Sequence, residues 1–408
     1  KEGTEINVFF FFYLFDGEVL TEENGQPVCE YLHFLRWHEM TKEIGEDIFI
    51  TSYLAFQDVH GRNKRKNFFW KPVIGHNSRA LNKVLEKGVA ENHFHLKGSA
   101  PLFHISWISL MNDVINPDFK DALERSDKRR LKRNAAYQGG YMEESLYSLY
   151  LKAACIRIYL FKGIKGIDPN LRKYLLDYID SPLELVQHVG ELQHEIELYQ
   201  NFYGTEYDYA ICETDLATNP DHHLNEILAG ERWLMYEVFY KIYSRECEGD
   251  DLCQLFYLYL IIKNILRSEI VQVNENIGFD NFLLYQNRKE WFIENTKYYD
   301  VFLKMAVKDT ILNQHIEKLE ARITPKKTAE ENLSYIKNMD EIISGDDEMM
   351  KNKFFYVMHF IKEKDEFTDE VGMCRHYEKR ESVEKIAKAL AEFREKYPEY
   401  AERVRGLD

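Results

Sequence analysis

Apolar positions along this chain fall into two kinds of run. Short continuous stretches rich in aromatic and β-branched residues read as strands: Val8–Phe15, closed by Asp16 and Glu18 and able to hairpin through Asp16-Gly17, and Gly88–Phe94. Longer runs read as helices over Glu143–Lys162, Pro182–Gln200, Asn225–Arg245 and Leu252–Ile270. The last is apolar nearly all round, the pattern of a buried helix. Helical patterning also runs from Cys29 to Ile44, and Asp127–Arg133 reads as a basic, solvated helix end. Gly61–Lys66 reads as a basic turn, and Lys71–Ser78, with Pro72 and Gly75, as a loop leading into the Gly88 strand. No period between 20 and 50 residues is present, which argues against a solenoid.

Composition narrows the class. With 408 residues, the chain can hold one large domain or two ordinary ones. Its 45% hydrophobic and 14% aromatic content can supply a core, so wholesale disorder is not expected. A formal charge of −16 argues against a general nucleic-acid-binding surface, because phosphate backbones repel such a field, although a local basic pocket remains compatible with it. Cys29, Cys155, Cys212, Cys247, Cys253 and Cys374 are scattered without CxxC spacing, which suits reduced thiols in a cytoplasm. The aromatic run at Val8 is far shorter than the about 20 residues a membrane helix needs. It also lacks the basic start and small-residue cleavage site of a secretory signal. That strand is either buried or a subunit contact.

Chemistry concentrates in Glu91-Asn92-His93-Phe94-His95-Leu96-Lys97-Gly98-Ser99. Side chains alternate along a strand, so His93 and His95 share a face at its end. Two such imidazoles are half of a divalent-metal site, or else two histidines beside a turn. Gly98 lets the backbone turn sharply and approach a ligand. Other clusters are weaker. His222-His223 follows Asn219-Pro220-Asp221 and reads as a turn and helix cap. His376-Tyr377-Glu378 has the H-x-E of cytidine-deaminase-type zinc enzymes without the P-C-x-x-C that must follow, and reads as a helix start. The polar and aromatic segment from Glu269 to Arg288 either lines a substrate entrance or passes from core to surface.

The His93 segment resembles the E-L-H-x-H-L-x-G-S signature of the adenosine deaminase branch of the metal-dependent hydrolases, departing from it at Asn92 and Lys97. Leu319-Glu320-Ala321-Arg322-Ile323-Thr324-Pro325 resembles that branch's second strand, beginning near Lys318. The apolar, aromatic-rich run Phe354–Ile361 would be the third strand. Arg403-Val404-Arg405-Gly406-Leu407-Asp408 resembles the start of the fourth. The order of the islands matches the branch; the long segments between them do not.

This resemblance implies an α/β fold, a (β/α)8 TIM barrel of which four strands lie in this chain. Residues 1–87 would be an N-terminal extension and 88–408 the N-terminal half of the barrel, with a mostly helical insertion over 100–316. That insertion, roughly 200 residues, is larger than a βα connection requires. The resemblance also implies a zinc ion on His93 and His95, with Lys97 and Gly98 against the substrate. Hydrolytic deamination of adenine nucleosides or nucleotides to their inosine forms is the implied reaction. The branch's H-A-G-E motif and later histidine and aspartate have no counterpart before Asp408, and the chain begins at Lys1. The expectation is therefore a fragment with no catalytic acid or base of its own.

Where the branch has an aspartate for the ribose 5′-hydroxyl, this chain has Lys97, which either attracts a 5′-phosphate or points to solvent. Tyr31-Leu32-His33-Phe34-Leu35-Arg36-Trp37-His38-Glu39 and Val271-Gln272-Val273-Asn274 carry a closer resemblance, to the deaminase components of RADAR antiphage defence systems. That implies a cytoplasmic homo-oligomeric shell with an ATPase partner. Two alternatives stay open: a different amidohydrolase, and a non-catalytic oligomeric scaffold.

Overall fold

The computed structural model describes residues 20–24, 26–29, 32, 33, 35, 45–62, 64, 83, 84, 86–96, 101–134, 145–167, 189–210, 225–246, 252–270, 288, 290–308, 310, 311, 316–345, 347–360 and 380–408. They form two compact units, one drawn from Lys1–Arg79 and Pro101–Tyr298, the other from Ala80–Ala100 and Tyr299–Asp408.

In chain order the elements are β1 (Leu20–Glu23), β2 (Gln26–Cys29), α1 (Glu46–Gly61), β3 (Val89–Phe94), α2 (Pro101–Asn112), α3 (Pro117–Asn134), α4 (Leu146–Lys165), α5 (Val189–Phe202), α6 (Asn225–Tyr243), α7 (Leu252–Ile270), α8 (Tyr298–Lys308), β4 (Ile316–Ile323), α9 (Ala329–Ile343), α10 (Glu348–Lys353), β5 (Phe354–Met358), α11 (Arg380–Lys396), α12 (Pro398–Ala401) and β6 (Val404–Leu407). The chain is mostly helical with a four-stranded parallel sheet, an α/β arrangement. Among the described residues, no helix is long and apolar enough to cross a membrane.

Among the described residues, the first unit is helical apart from the antiparallel pair β1 and β2. Cys29, the expected start of helical patterning, instead ends β2, while the described residues Leu32, His33 and Leu35 within that span are helical. Asn24 sits between the strands at φ 56°, the left-handed geometry a tight hairpin demands. The Val8–Phe15 strand lies outside the described residues. Helix α4 is the centre of this unit. Ser145 accepts from the Ser148 N–H at its start, Gly166 at φ 67° closes its end, and most of its side chains are buried. Helix α2, with Pro101 at its first position, is as enclosed: Ile105, Trp107, Ile108, Leu110 and Met111 have no exposed surface. Helix α7 packs on α4, and α1 packs along α6.

Helix α7 corrects the all-round burial expected of it. Leu252, Leu255, Phe256, Tyr259, Ile262, Lys263, Leu266, Arg267 and Ile270 are buried at helical spacing, while Tyr257 and Ile261 stand exposed. A charged residue is inside and an isoleucine outside because the buried face is the one that meets complementary charges.

Those charges form one network. Arg157 on α4 is wholly buried and donates from Nη1 and Nη2 to Asp208, at 2.9 and 2.8 Å, and from Nε to Glu231 Oε2 at 2.8 Å. Lys263 donates to Glu231 Oε1 at 3.0 Å and to Asp47 Oδ2 at 2.5 Å, which joins α7 to α6 and α1. Trp107 Nε1 donates to Glu231 Oε1 at 3.0 Å, and Tyr259 Oη donates to the same oxygen at 2.7 Å. A buried charge is tolerated when its lone pairs and protons are largely met, and here partners come from five helices and the Asp208 loop, Asp47 Oδ1 alone in the set having none among the described residues. Burial alone would raise the carboxyl pKa of Asp47, but Lys263 and His104 outweigh it and hold that group well below its ordinary value. Glu231 is lowered in the same way by Lys263 and Arg157. Burial opposes the Lys263 ammonium, yet Asp47 and Glu231 raise its pKa.

The second unit carries the sheet, in the order β3-β4-β5-β6 with all neighbours parallel. Leu319, Ala321 and Ile323 pair with Phe354, Tyr356 and Met358 and are buried on alternate positions of β4. Gly88 enters β3 at φ +75°, and a Cβ there would stand 2.3 Å from Glu317 Cγ, so glycine is required. Between strands, α9 starts on a reciprocal cap in which Thr328 accepts from the Glu331 N–H and Glu331 accepts from the Thr328 N–H. Arg403, just before β6, donates to both oxygens of Asp340 on α9, at 3.1 and 3.0 Å, and Tyr356 Oη donates to Asp340 Oδ1 at 2.6 Å. These contacts tie a helix to two strands at one end of the sheet, leaving the other end to carry polar groups.

Candidate functional site

That other end is where the strands finish. His93 is the penultimate residue of β3 and His95 lies one residue beyond the strand; Arg322 is near the end of β4, His359 follows β5 directly, and Asp408 follows β6. Parallel pairing, regular between β4 and β5 and with register shifts between β3 and β4 and between β5 and β6, brings all four carboxyl ends to one edge, so residues distant in sequence become neighbours.

The two sequence-predicted metal residues meet. His93 Nε2 and His95 Nε2 are 3.1 Å apart, with ring centroids 5.0 Å apart. Glu91 Oε1 accepts from the His93 backbone N–H at 2.8 Å, which fixes the strand end. Arg322 Nη2 lies 3.1 Å from His93 Nδ1 and Arg322 Nε donates to Asp408 Oδ2 at 2.9 Å. Arg322 Nη1 is buried and meets no acceptor among the described residues. His359 Nδ1 is 3.2 Å from the same Asp408 oxygen, and its ring centroid is 6.0 Å from that of His95. The His359 hydrogen bond, with that of Arg322, holds the Asp408 carboxyl below its ordinary range.

Hydrogen-bond roles follow from what each group can do. A guanidinium only donates, so the Arg322 contact requires an unprotonated Nδ1 on His93. A neutral His93 ring then carries its proton on Nε2, where it donates to His95 Nε2. An ionised carboxylate only accepts, so His359 donates Nδ1–H to Asp408. The edge is open to solvent: the His93 side chain is 54% exposed and that of Asp408 38%. Open imidazoles with defined lone pairs can bind a transition metal or move protons.

Lys97 and Gly98 lie outside the described residues, as do His222-His223 and His376-Tyr377-Glu378. Glu269 and Arg288 form an ion pair of 3.0 Å in the helical unit; residues 271–287 lie outside the described residues. Sequence reasoning missed His359. Its one available signal was a histidine placed immediately after the aromatic run Phe354–Met358, the position on β5 that His95 holds after β3. Arg322 and Asp408 stood inside recognised strand motifs without a role of their own. Among the described residues, no three histidine, cysteine or acidic side chains close around a single metal position, so His93 and His95 stand as a pair. The chain matches no protein-family profile and no curated protein.

Proposed function

We propose that this protein belongs to the adenosine deaminase branch of the metal-dependent hydrolases, and that β3, β4, β5 and β6 are the first four strands of a (β/α)8 barrel. The observation that carries this reading is the approach of His93 Nε2 and His95 Nε2 to 3.1 Å at the carboxyl ends of parallel strands, the edge where such barrels place their chemistry.

The donor set fits zinc. Two nitrogens bound to one tetrahedral zinc at about 2.0–2.1 Å would stand about 3.3 Å apart, within a few tenths of an ångström of the separation present here. His93 and His95 would hold the ion through Nε2. A zinc ion bound there supplies a water activated at neutral pH for hydrolysis of the purine amino group, releasing ammonia and leaving an inosine form. Arg322, itself held by Asp408, orients the His93 ring, and His359 is held by the same carboxylate. Lys97 receives a 5′-phosphate by a charge-assisted contact, favouring nucleotides such as ATP or dATP, and Gly98 lies against the nucleoside. The biological setting is the deaminase component of a RADAR-type antiphage system: a cytoplasmic homo-oligomer with an ATPase partner.

The test is zinc content together with inosine-product formation from adenosine and from ATP by the full-length protein. His93→Ala and His95→Ala should each abolish product while the protein stays folded. Lys97→Asp should shift preference from ATP toward adenosine by tenfold or more, the size of a charge-assisted contact of about 1.5–3 kcal/mol. Wild-type turnover in both histidine variants would overturn the reading, and an unchanged substrate ratio would remove Lys97 from it.

A further inference from the structure

The geometry points to a handover of His93 Nδ1: we propose that Arg322 is a positioning residue that keeps His93 in its metal-free tautomer, and that Asp408 replaces it at Nδ1 when Nε2 takes a divalent cation. The inference rests on the metal reading above and specifies how that site is loaded.

As the site stands, Arg322 Nη2 donates to His93 Nδ1, which leaves the ring proton on Nε2, the atom facing His95. A protonated nitrogen has no lone pair in the ring plane to give a cation. For His93 to ligate through Nε2, a proton must be taken up from solvent at Nδ1 and the Nε2 proton released to solvent, so the ring is neutral before and after the exchange. Nδ1–H then faces a guanidinium that can only donate. The acceptor within reach is Asp408 Oδ2, 3.9 Å from His93 Nδ1 and already held at 2.9 Å by Arg322 Nε. An approach of about 1 Å by ring or carboxylate makes this a hydrogen bond. Arg322 need only withdraw Nη2 while Nε keeps its grip on the carboxylate. The result is the carboxylate–imidazole–metal relay that raises the basicity of a ligating histidine. Charge acts in the same sense: a guanidinium touching a ligand ring repels an arriving dication, and a carboxylate attracts it.

Two measurements on the full-length protein test this. Ring nitrogen NMR of the metal-free wild type, with His93 assigned through His93→Gln, should show a protonated Nε2 and a bare Nδ1; the opposite tautomer would overturn the proposal. Competition with a chromophoric chelator then gives zinc affinity. Arg322→Gln removes the charge and offers an acceptor, and should tighten zinc about tenfold. Asp408→Ala should weaken it about tenfold or more, the usual effect of losing an outer-shell partner. Asp408→Asn, which keeps a carbonyl acceptor, should recover part of that loss. A purely structural role for Arg322 predicts that Arg322→Gln and Asp408→Ala both weaken binding, and that result overturns the handover alone. No zinc binding by the wild type would overturn the metal reading and the handover together, while the ring spectrum would still report whether Arg322 holds Nδ1.

Discussion

Two networks of charged side chains among the described residues differ in how far they are enclosed. In the helical unit, Arg157, Asp208, Glu231, Lys263 and Asp47 are buried, and the two cations reach all three carboxylates. At the strand ends, His93, His359 and Asp408 are substantially exposed, and their one cation, Arg322, has a buried nitrogen without an acceptor among the described residues. The same chemical groups therefore serve different ends. With both cations paired internally, and Asp47 Oδ1 as its one buried atom without a partner among the described residues, the first network holds helices together. The second keeps lone pairs for something else. Stability and ligand binding should separate cleanly between them.

The largest stability effect should come from Arg157→Met. Removing one partner of a buried set leaves Asp208 and Glu231 without their shared cation, a loss of about 3–5 kcal/mol. Urea denaturation should show a correspondingly lower midpoint, and Arg157→Lys should recover little, because an ammonium cannot reproduce three directed N–H donors. A midpoint unchanged in Arg157→Met would erase the contrast between the networks.

Acid comes next. Asp47 and Glu231 have folded-state pKa values below those of an unfolded chain. Their contribution is complete above the unfolded carboxyl values, about 4, and is lost as pH falls through the lower folded values. Lys263 is shifted upward, so its contribution is complete below the unfolded lysine value, about 10.4, and is lost as pH rises through its folded value. The urea midpoint should hold steady between those limits as far as these groups decide it, and fall on the acid side. In Lys263→Met the acid loss should begin at higher pH, because Asp47 and Glu231 lose the cation that lowers them.

A smaller change isolates one hydrogen bond. Tyr259→Phe removes the hydroxyl between Trp107 and Glu231 but leaves Glu231 with Arg157, Lys263 and Trp107, and should cost about 1 kcal/mol. Smallest of all should be His93→Ala, within about 0.5 kcal/mol as for other exposed positions, measured by the same denaturation. A large loss of stability there would show the strand-end cluster to be structural and break the comparison from the other side.

Legibility in the sequence followed the range of the interactions. Helices α6 and α7 lie where apolar periodicity predicted them, and β3 and β5 begin at or next to the expected residues. Helix α1 was not anticipated: its buried face mixes Asp47, Thr51, Ser52 and Asp58 with apolar residues, which blurs the amphipathic pattern. The His-x-His pair was visible because a strand's own alternation brings its members together. His359 was not, since its relation to His95 exists only once β4 has paired with both β3 and β5.

By itself the sequence determined the local elements and the pairing of His93 with His95, because backbone geometry and side-chain periodicity act over a few residues. The tertiary structure alone decided which face of α7 is buried, which carboxylates Arg157 and Lys263 satisfy, and that Arg322, His359 and Asp408 converge on His93. These partners are separated by tens to hundreds of positions along the chain, and no local pattern encodes which of many possible charges will meet once the intervening helices pack.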